Sequence, residues 1–240
     1  MKKTISRETE QDIEEAILDI PFRFEVGERK YRLYHPTLGK IIRLRRYTAE
    51  LAMAKTDDVA KDAMSAVLAR PLSAARIIAI HTLETKEEIL DADIIEARAH
   101  ELMDAKEMEL EDMTSLLVVC INSTKQAEKF IEATPISIDQ KNREKANKVK
   151  RSRNSLLFGG RTIYGQLIDT ACERYGWSMQ YVLWGISYTN LKMMLADQTT
   201  SVYLDDKELK KAHIVDDRNA ETIDAGDPAN IELLKQILKD

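Results

Sequence analysis

Strand-like alternation of apolar and polar side chains is clear at one place in this sequence of 240 residues, and this restricts the fold more than any other feature. The stretch FRFEVGERKYRLY, at residues 22–34, alternates up to Val26. A turn at Gly27-Glu28 follows, and the alternation resumes from Tyr31 through His35. Only eight glycines and five prolines occur in the chain, which argues against a turn-rich β-sandwich and for helices. The sequence therefore predicts a mainly α protein, a helical bundle with a small N-terminal β-hairpin.

Helix starts after the hairpin follow from capping residues. Pro36-Thr37 predicts the start of a first long helix. Asp57-Asp58 and Ser73 are placed as N-caps of the next two helices, because their side chains can accept hydrogen bonds from free amides at a helix start. The stretch 85–88, Thr-Lys-Glu-Glu, fits a capping box, in which a threonine and a glutamate satisfy such amides together.

The segment 86–133 predicts either one very long helix or two helices divided near residues 103–112. Thr134-Pro135 ends this segment, because the residue before a proline avoids the helical conformation. The predicted N-terminal region is therefore residues 1–134, which contain the hairpin and these helices.

The uneven distribution of charged residues separates an acidic segment from a basic one. Residues 84–112 carry twelve acidic and three basic side chains, which predicts a solvated acidic face. Residues 141–153 carry seven basic side chains and one acidic side chain. Because residues 135–160 lack a wide apolar stripe, they are predicted to form a basic linker or an exposed helix.

Two further regions are predicted beyond this linker. Residues 161–204 form a C-terminal helical region, and residues 205–240 form a polar tether that leads to a terminal amphipathic helix at 228–239. Pro228 suits the first position of that helix, since a helix start leaves its amides unpaired in any case. The apolar face of the terminal helix consists of Ile231, Leu234, Ile237 and Leu238.

The residue types that carry catalysis or bind metals form no recognisable motif in this sequence. The four histidines are scattered, and none makes a metal-binding pair on a helix face. Motifs for a nucleophile elbow, a phosphate loop or a dinucleotide fingerprint do not occur. We therefore expect no enzyme activity, no cofactor and no metal ion.

The cysteines and the hydropathy of the sequence indicate the cellular compartment of the protein. Cys120 and Cys172 both lie in apolar, helix-like patterns, which predicts two buried thiols in a reducing cytoplasm. The longest apolar run, LLVVCI at 116–121, is too short to span a bilayer, and the N-terminus lacks the apolar core of a signal peptide. The formal charge of −5 gives no global attraction to nucleic acid or to an anionic membrane. These features predict a soluble, cytoplasmic protein without a membrane partner.

Both tryptophans of the chain fall within RYGWSMQYVLWGISYTN, at residues 174–190. Ser178 is a suitable N-cap, and a helix that continued past Gly185 would align aromatic and leucine side chains in one stripe. An apolar surface of this kind is typical of a buried helix, but Trp, Tyr and Met also dominate binding surfaces. Both interpretations stay open at this point. The candidate partner-binding residues are Trp177, Tyr181, Trp184, Tyr188, Met193 and Met194.

A helix-turn-helix is an alternative interpretation of the same region. A helix through Arg174, a turn at Gly176 and a second helix from Ser178 have roughly the spacing of that motif. The second helix reads MQYVLWGI, so it offers one polar side chain and no positive charge for contacts with bases or phosphates. The basic run 141–153 contains no aromatic residue that could stack on a base. A DNA-binding regulator is therefore the runner-up function, and the sequence argues against nucleic acid as a partner.

The stretch FGGRTIYGQLIDTACERYGWSMQYVLWGISYTNLKMMLAD, residues 158–197, resembles the C-terminal segment of tail assembly chaperones from tailed phages and prophages. In that segment a helix leads into a Tyr-Gly-Trp-Ser-like turn, and an apolar helix is followed by one rich in leucine and methionine. The N-terminal hairpin that runs into Pro36-Thr37-Leu38-Gly39 is also similar to the start of such proteins.

The resemblance implies a non-enzymatic protein of the bacterial host cytoplasm. Chaperones of this family coat the long, apolar, helical tape-measure protein and help to recruit tail-tube proteins around it. An adaptable groove would cover the apolar helix of the tape-measure protein and prevent its aggregation. The terminal helix could dock on a second protein or on a neighbouring copy, which would allow a homo-oligomer. A structural protein that remains in the virion or tail is a further alternative.

Overall fold

The computed structural model describes residues 6–54, 56–150, 162–199 and 201–213. Within these ranges the chain forms thirteen helices and one antiparallel two-stranded sheet, which confirms the predicted mainly α fold with a small hairpin. The strands are β1 (Phe22–Val26) and β2 (Arg29–Leu33). In chain order the helices are α1 (Arg7–Ile17), α2 (Leu38–Leu51), α3 (Val59–Ala69), α4 (Pro71–Thr82), α5 (Lys86–Leu90), α6 (Ala92–Met103), α7 (Leu110–Thr124), α8 (Gln126–Ala133), α9 (Ile136–Val149), α10 (Ile163–Tyr175), α11 (Met179–Trp184), α12 (Tyr188–Ala196) and α13 (Asp206–Ala212).

The hairpin has the predicted register and turn. Phe22 pairs with Leu33, Val26 pairs with Arg29, and Gly27 takes a left-handed conformation with a φ of 59° in the turn. Glycine suits this position because it has no Cβ to clash in the left-handed region. Alternate side chains of both strands, among them Val26 and Leu33, then face the interior of the protein.

Most predicted helix starts are confirmed by their capping hydrogen bonds. Thr37 and Asp58 accept hydrogen bonds from the third residue of α2 and α3, and Thr85 forms the full capping box with Glu88. The prediction of Ser73 as an N-cap is wrong, because α4 already begins at Pro71. Proline needs no amide partner in the first turn, so the helix can start without a side-chain cap.

The segment 86–133 forms four helices, α5 to α8, rather than the one or two that the sequence predicts. The expected division near 103–112 is present. Two further breaks were missed: Asp91 caps the start of α6 with its side chain, and Lys125 separates α7 from α8. Thr134 ends α8, as predicted from the proline after it.

The main core consists of the buried side chains around α4, contributed by the hairpin and by α2 to α7. Helix α4 is buried on almost every side, and its small residues Ala74, Ala75 and Ala79 are fully covered. Small side chains allow neighbouring helices to approach closely, while Ile78 and Ile80 fill the space between them. This packing gives α4 the central place in the fold.

The second core consists of five buried side chains on α2 and on α10 to α12 and the turn that joins α11 to α12: Leu38, Ala171, Val182, Ile186 and Leu191. Half-buried aromatic and aliphatic side chains surround it. Leu38 belongs to the first turn of α2, and Trp184 of α11 packs against the main core, so the two cores share their boundary elements.

Two compact units divide the described residues. The first contains residues up to 139 together with 162–199, so α10 to α12 fold onto the N-terminal region although the predicted linker separates them in sequence. The described part of the second unit contains residues 140–150 and 201–213, in which Ala146 and Ala212 are buried.

Three predictions concern the ends of these regions. The segment predicted as a linker or an exposed helix is helical over Ile136–Val149, where seven of the fourteen residues are exposed and six are half-buried. Within the predicted polar tether, Asp206–Ala212 forms a helix with its own capping box from Asp205. The predicted terminal helix at 228–239 lies outside the described residues.

The two cysteines have different environments. Cys120 is fully buried in the main core, as predicted, and burial raises the pKa of its thiol far above the ordinary value. Cys172 is only half-buried, so the prediction of two buried thiols is wrong for this residue. The difference arises because Cys172 lies on α10 at the open edge of the second core. Both cysteines are free.

Membrane-spanning helices were searched for within the described ranges. No single helix there has both the length and the apolar composition to cross a bilayer. Helices α3 and α4 reach those values only when they are taken together, and the chain bends by 114° between them.

Candidate functional site

The predicted aromatic stripe is divided into two helices. Ser178 caps α11 as predicted, but α11 ends at Trp184 and Gly185 follows as its C-cap. Ser187 then caps α12 by accepting a hydrogen bond from the amide of Asn190 at 3.3 Å. The helix that would have continued past Gly185 therefore does not form, and the side chains of the stripe point to different places.

Close packing explains the glycine at position 185. A Cβ atom at this position would lie 2.3 Å from the ring of Tyr181, so glycine lets that ring lie over the backbone. Two residues later, Thr37 and Ser187 form an isolated β-bridge, and the amide of Tyr188 donates to the carbonyl of Pro36 at 2.7 Å. These hydrogen bonds thus hold the turn between α11 and α12 against the start of α2.

Trp184 contributes to packing between helices rather than to an exposed binding surface. Its ring packs on the main core and lies over Gly39 of α2, where a Cβ atom would be 2.7 Å from the ring. This close contact between α11 and α2 favours the core interpretation for this tryptophan.

Trp177 and Tyr188 pack at the edge of the second core. Trp177 stacks on Tyr175, with ring centroids 4.6 Å apart, and meets Tyr181 edge-on at 5.1 Å. Tyr188 is half-buried, and burial raises the pKa of its hydroxyl, an effect that the ammonium of Lys192 opposes. Lys192 also pairs with Glu128 at 3.1 Å and so connects α12 to α8.

The remaining three predicted residues line one groove. Tyr181, Met193 and Met194 lie along a concave surface between α1 and α12 that encloses about 500 Å³. We call this surface the α1–α12 groove. Its apolar wall continues with side chains that the sequence did not single out, namely Ile13, Ala16 and Ile17 of α1, Phe130 of α8, Ile136 of α9 and Ile186.

Asn190 holds the two walls of the groove together. Its side-chain amide donates to the carbonyls of Ala16 and Ile17, both at 3.3 Å, and to a carboxylate oxygen of Asp19 at 3.4 Å. The two carbonyls belong to the last turn of α1, and that of Ala16 also accepts from the backbone amide of Asp19. On the far side, the hydroxyl of Tyr175 donates to the carbonyl of Met194 at 3.1 Å, which ties α12 to α10.

The groove leaves apolar surface in contact with solvent. The exposed fraction is 60% for Ile17, 44% for Tyr181 and 38% for Met194. Leu18, at the end of α1, is exposed as well. The two charged residues of the lining are Asp19 and Asp197, one on each side, so its electrostatic character is acidic. The α1–α12 groove can therefore bind an apolar surface that has positively charged groups beside it.

The helix-turn-helix alternative can be compared with the same elements. Gly176 ends α10 in the left-handed conformation, and α11 begins after Ser178, so two helices and a turn are present as that interpretation requires. Helix α11 has only six residues, MQYVLW, and none carries a positive charge. It presents Met179 and Tyr181 to solvent, and Gln180 is its one exposed side chain of the kind that reads base edges.

Sequence analysis missed the contribution of α1 to the site. Its apolar residues were visible in the sequence, but nothing in them shows that α12, more than 170 residues later, is their neighbour. Asn190 gave one usable signal, since an amide in an otherwise apolar and methionine-rich segment requires a hydrogen-bonding partner.

Metal-binding clusters were also searched for. In the described parts of the chain, no three or more His, Cys, Asp or Glu side chains come together in a way that could hold a metal ion.

Comparison of the chain with protein-family models, with curated proteins and with solved structures finds no match. The fold defines a mainly α protein with one hairpin, and the α1–α12 groove is its candidate site.

Proposed function

We propose that this protein is a non-enzymatic phage tail assembly chaperone of the bacterial host cytoplasm. It binds apolar helices of the tape-measure protein in the α1–α12 groove and assists the assembly of tail-tube proteins around it. The observation that carries this proposal is a solvent-exposed apolar groove lined by three of the residues that the resembling segment supplies, Tyr181, Met193 and Met194.

The shape of the groove suits a helix. A third, apolar helix can bind between two helices that leave an open groove, because its side chains fill that groove. Methionine contributes an unbranched, adaptable side chain, so the walls at Met193 and Met194 can adjust to successive parts of a long partner. A chaperone for a long helical protein needs this tolerance, because it must bind many similar segments rather than one sequence.

The chemistry of the lining also defines the partner. Each apolar side chain that becomes fully covered contributes up to about 1.5–3 kcal/mol, so Ile17, Tyr181 and Met194 together can support a reversible complex. Asp19 and Asp197 favour lysine or arginine beside the apolar face of the partner helix. The partner is therefore an amphipathic helix with an apolar stripe and flanking positive charge.

The test is an affinity capture with matched variants. The tagged full-length protein is co-expressed with the neighbouring genes of its own locus, and bound proteins are identified by mass spectrometry. We expect recovery of the tape-measure product, a very long polypeptide rich in alanine and leucine. Met194→Lys places a charge in the groove and should abolish the recovery, while Met179→Lys should retain it. Met179 is an exposed methionine on α11 that does not line the groove, which makes it the control.

Other results would favour the alternatives. Recovery of DNA alone, with an affinity for duplex that falls steeply as salt increases, would support the helix-turn-helix regulator and refute the chaperone. Stable presence of the protein in purified particles would support a structural virion component, because a chaperone leaves before the particle is complete. Equal capture by the Met194→Lys and Met179→Lys variants would show that the α1–α12 groove is not the binding site.

A further inference from the structure

The lining of the α1–α12 groove carries one carboxylate beside each end of α12. Asp19 lies beside the first turn of α12, where its carboxylate accepts from the side-chain amide of Asn190 at 3.4 Å. Asp197 lies at the other end, as the C-cap of α12. Both aspartates are exposed, and neither forms an ion pair with another described residue. The groove therefore offers two acidic positions that can each bind a cation.

Helix ends add to both negative charges. Asp19 directly follows Leu18, the C-cap of α1, and Asp197 is itself the C-cap of α12. The carbonyls at a helix C-terminus carry a partial negative charge, which favours a basic side chain in the last turn. Neither α1 nor α12 has a basic side chain in its last turn, and no described residue of the groove lining is a cation. A bound partner would have to supply the positive charge at both places.

Helix α12 sets the distance between the two acidic positions. Asn190, which binds Asp19, and Asp197 are seven residues apart, so they share one face of the helix and lie about 10 Å apart along its axis. Met193 and Met194 line the groove between them, three and four residues after Asn190. Along α12 the surface of the groove is thus acidic, then apolar, then acidic again.

A partner helix that lies along α12 has to match this order. On any α-helix, the residues i, i+3, i+4 and i+7 fall on one face, and i and i+7 are also about 10 Å apart. Lysine or arginine at i and i+7 would meet the two carboxylates. Apolar side chains at i+3 and i+4 would then pack on Met193 and Met194, whose unbranched side chains can adjust to them.

From this order we infer that the α1–α12 groove selects helices with two basic residues seven positions apart and apolar residues three and four positions after the first of them. The inference rests on the proposed helix-binding role of the groove and specifies the chemistry of its partner. It fixes which positions of the partner are basic and which are apolar. Along a long helical partner, only segments with this pattern would occupy the groove.

The test is a set of peptide titrations of the full-length protein, measured by fluorescence anisotropy. The reference peptide is an alanine-based helix of about twenty residues, with lysine at i and i+7 and leucine at i+3 and i+4. A matched peptide of the same composition carries its lysines at i+2 and i+9, on the opposite face, and another has glutamate in place of both lysines. We expect saturable binding of the reference, about threefold to tenfold weaker binding of the opposite-face peptide, and at least about tenfold weaker binding of the glutamate peptide.

A charge reversal in the protein tests the pairing itself. Asp197→Lys should weaken the binding of the reference peptide and should favour a peptide with lysine at i and glutamate at i+7, since that peptide can then pair with both ends of α12 in either direction. Lysine is favourable at a helix C-terminus, so this variant should fold. Glu173→Lys is the matched control, because Glu173 is exposed near the C-terminus of α10 and does not line the groove. It should rank the peptides as the unmodified protein does.

Three results would overturn the inference: equal binding of the reference and opposite-face peptides, an unchanged ranking by Asp197→Lys, or no saturable binding of any peptide. Equal binding that is lost in Met194→Lys would retain the groove as a helix site and refute only the charge pattern. If the peptides rank as expected but the tape-measure product is not captured, the proposed function fails and the inferred pattern stands for another helical partner.

Discussion

The main core and the second core of this protein exclude water to different extents. In the main core, aliphatic and alanine side chains around α4 are almost completely covered by helices on all sides. In the second core, five side chains are buried, but the aromatic and aliphatic side chains around them stay half-exposed. One region is closed within the chain, and the other is open on the side where the α1–α12 groove lies.

This difference separates two tasks. The main core supplies the stability that lets α1, α2 and α11 hold fixed positions, while the second core presents adaptable side chains on that support. Packing that leaves apolar surface exposed is destabilising for an isolated protein, so a region of this kind is expected where a partner completes the burial. Substitutions in each region test this contrast, and truncation in the two cores is expected to change the stability most.

Truncation in the two cores should give unequal losses of stability. Ile78→Ala removes a fully buried side chain from the main core and should lower the free energy of unfolding by about 3–5 kcal/mol, because tightly packed neighbours cannot fill the cavity. Leu191→Ala, equally buried in the second core, should cost about 2–3 kcal/mol, since the half-exposed side chains around it can relax. Chemical denaturation measures both. Equal losses would show that the second core is as rigid as the main one.

The pH dependence of stability should report a buried lysine in the main core. Burial lowers the pKa of Lys40 from 10.5 to about 8, with its ammonium donating to the carbonyl of Leu83. Between pH 8 and 10.5 the unfolded chain therefore binds more protons than the folded chain, so the stability contribution of this site rises with pH and is lowest below pH 8.

The change over that window amounts to roughly 3 kcal/mol. The Lys40→Met variant lacks the titrating group, and the difference in unfolding free energy between the two proteins should follow this rise. A difference that stays constant from pH 7 to 11 would contradict the lowered pKa of Lys40.

The contact between the two cores can be tested at Gly39. In Gly39→Ala the new methyl group would lie 2.7 Å from the ring of Trp184, so the ring must move, and the loss should be about 1–3 kcal/mol. In a Trp184→Leu background the same substitution should become neutral or stabilising, because alanine favours a helix more than glycine by up to about 1 kcal/mol. A double-mutant cycle measures this reversal of sign. Additive effects would mean that the ring does not rest on Gly39.

The smallest effect on stability is expected in the α1–α12 groove. Met194→Ala should change the free energy of unfolding by less than about 0.5 kcal/mol, since the side chain is already exposed and has little packing to lose. The same substitution should weaken capture of the partner helix. A large loss of stability would identify Met194 as part of the second core instead.

Local signals in the sequence predicted much of the fold. The hairpin register and the caps at Thr37, Asp58, Thr85 and Ser178 were placed correctly, because turns and caps depend on residues within four positions of each other. The extra breaks in the segment 86–133 were missed, since an N-cap such as Asp91 looks like any surface acidic residue when it lies inside a strongly acidic stretch.

The candidate site was predicted only in part. Tyr181, Met193 and Met194 lie in the groove, whereas Trp184 packs inside and Trp177 and Tyr188 lie at the edge of the second core. Helical periodicity treated all six as one stripe, because it cannot detect that Gly185 ends a helix when Tyr181 packs over it. The wall formed by α1 depends on tertiary packing, which no local pattern records.

The hydrogen bonds from Asn190 to the end of α1 have a consequence for the order of folding during synthesis. They join residues 174 and 173 positions apart. The main core draws almost entirely on residues 26–120, so it can form on the ribosome before the second core exists. Helix α1 leaves the ribosome first, yet its C-terminal carbonyls find their partner among the last described helices. A nascent chain would thus carry a folded main core and an unanchored first helix until α12 emerges, and the groove is assembled in a late, long-range step.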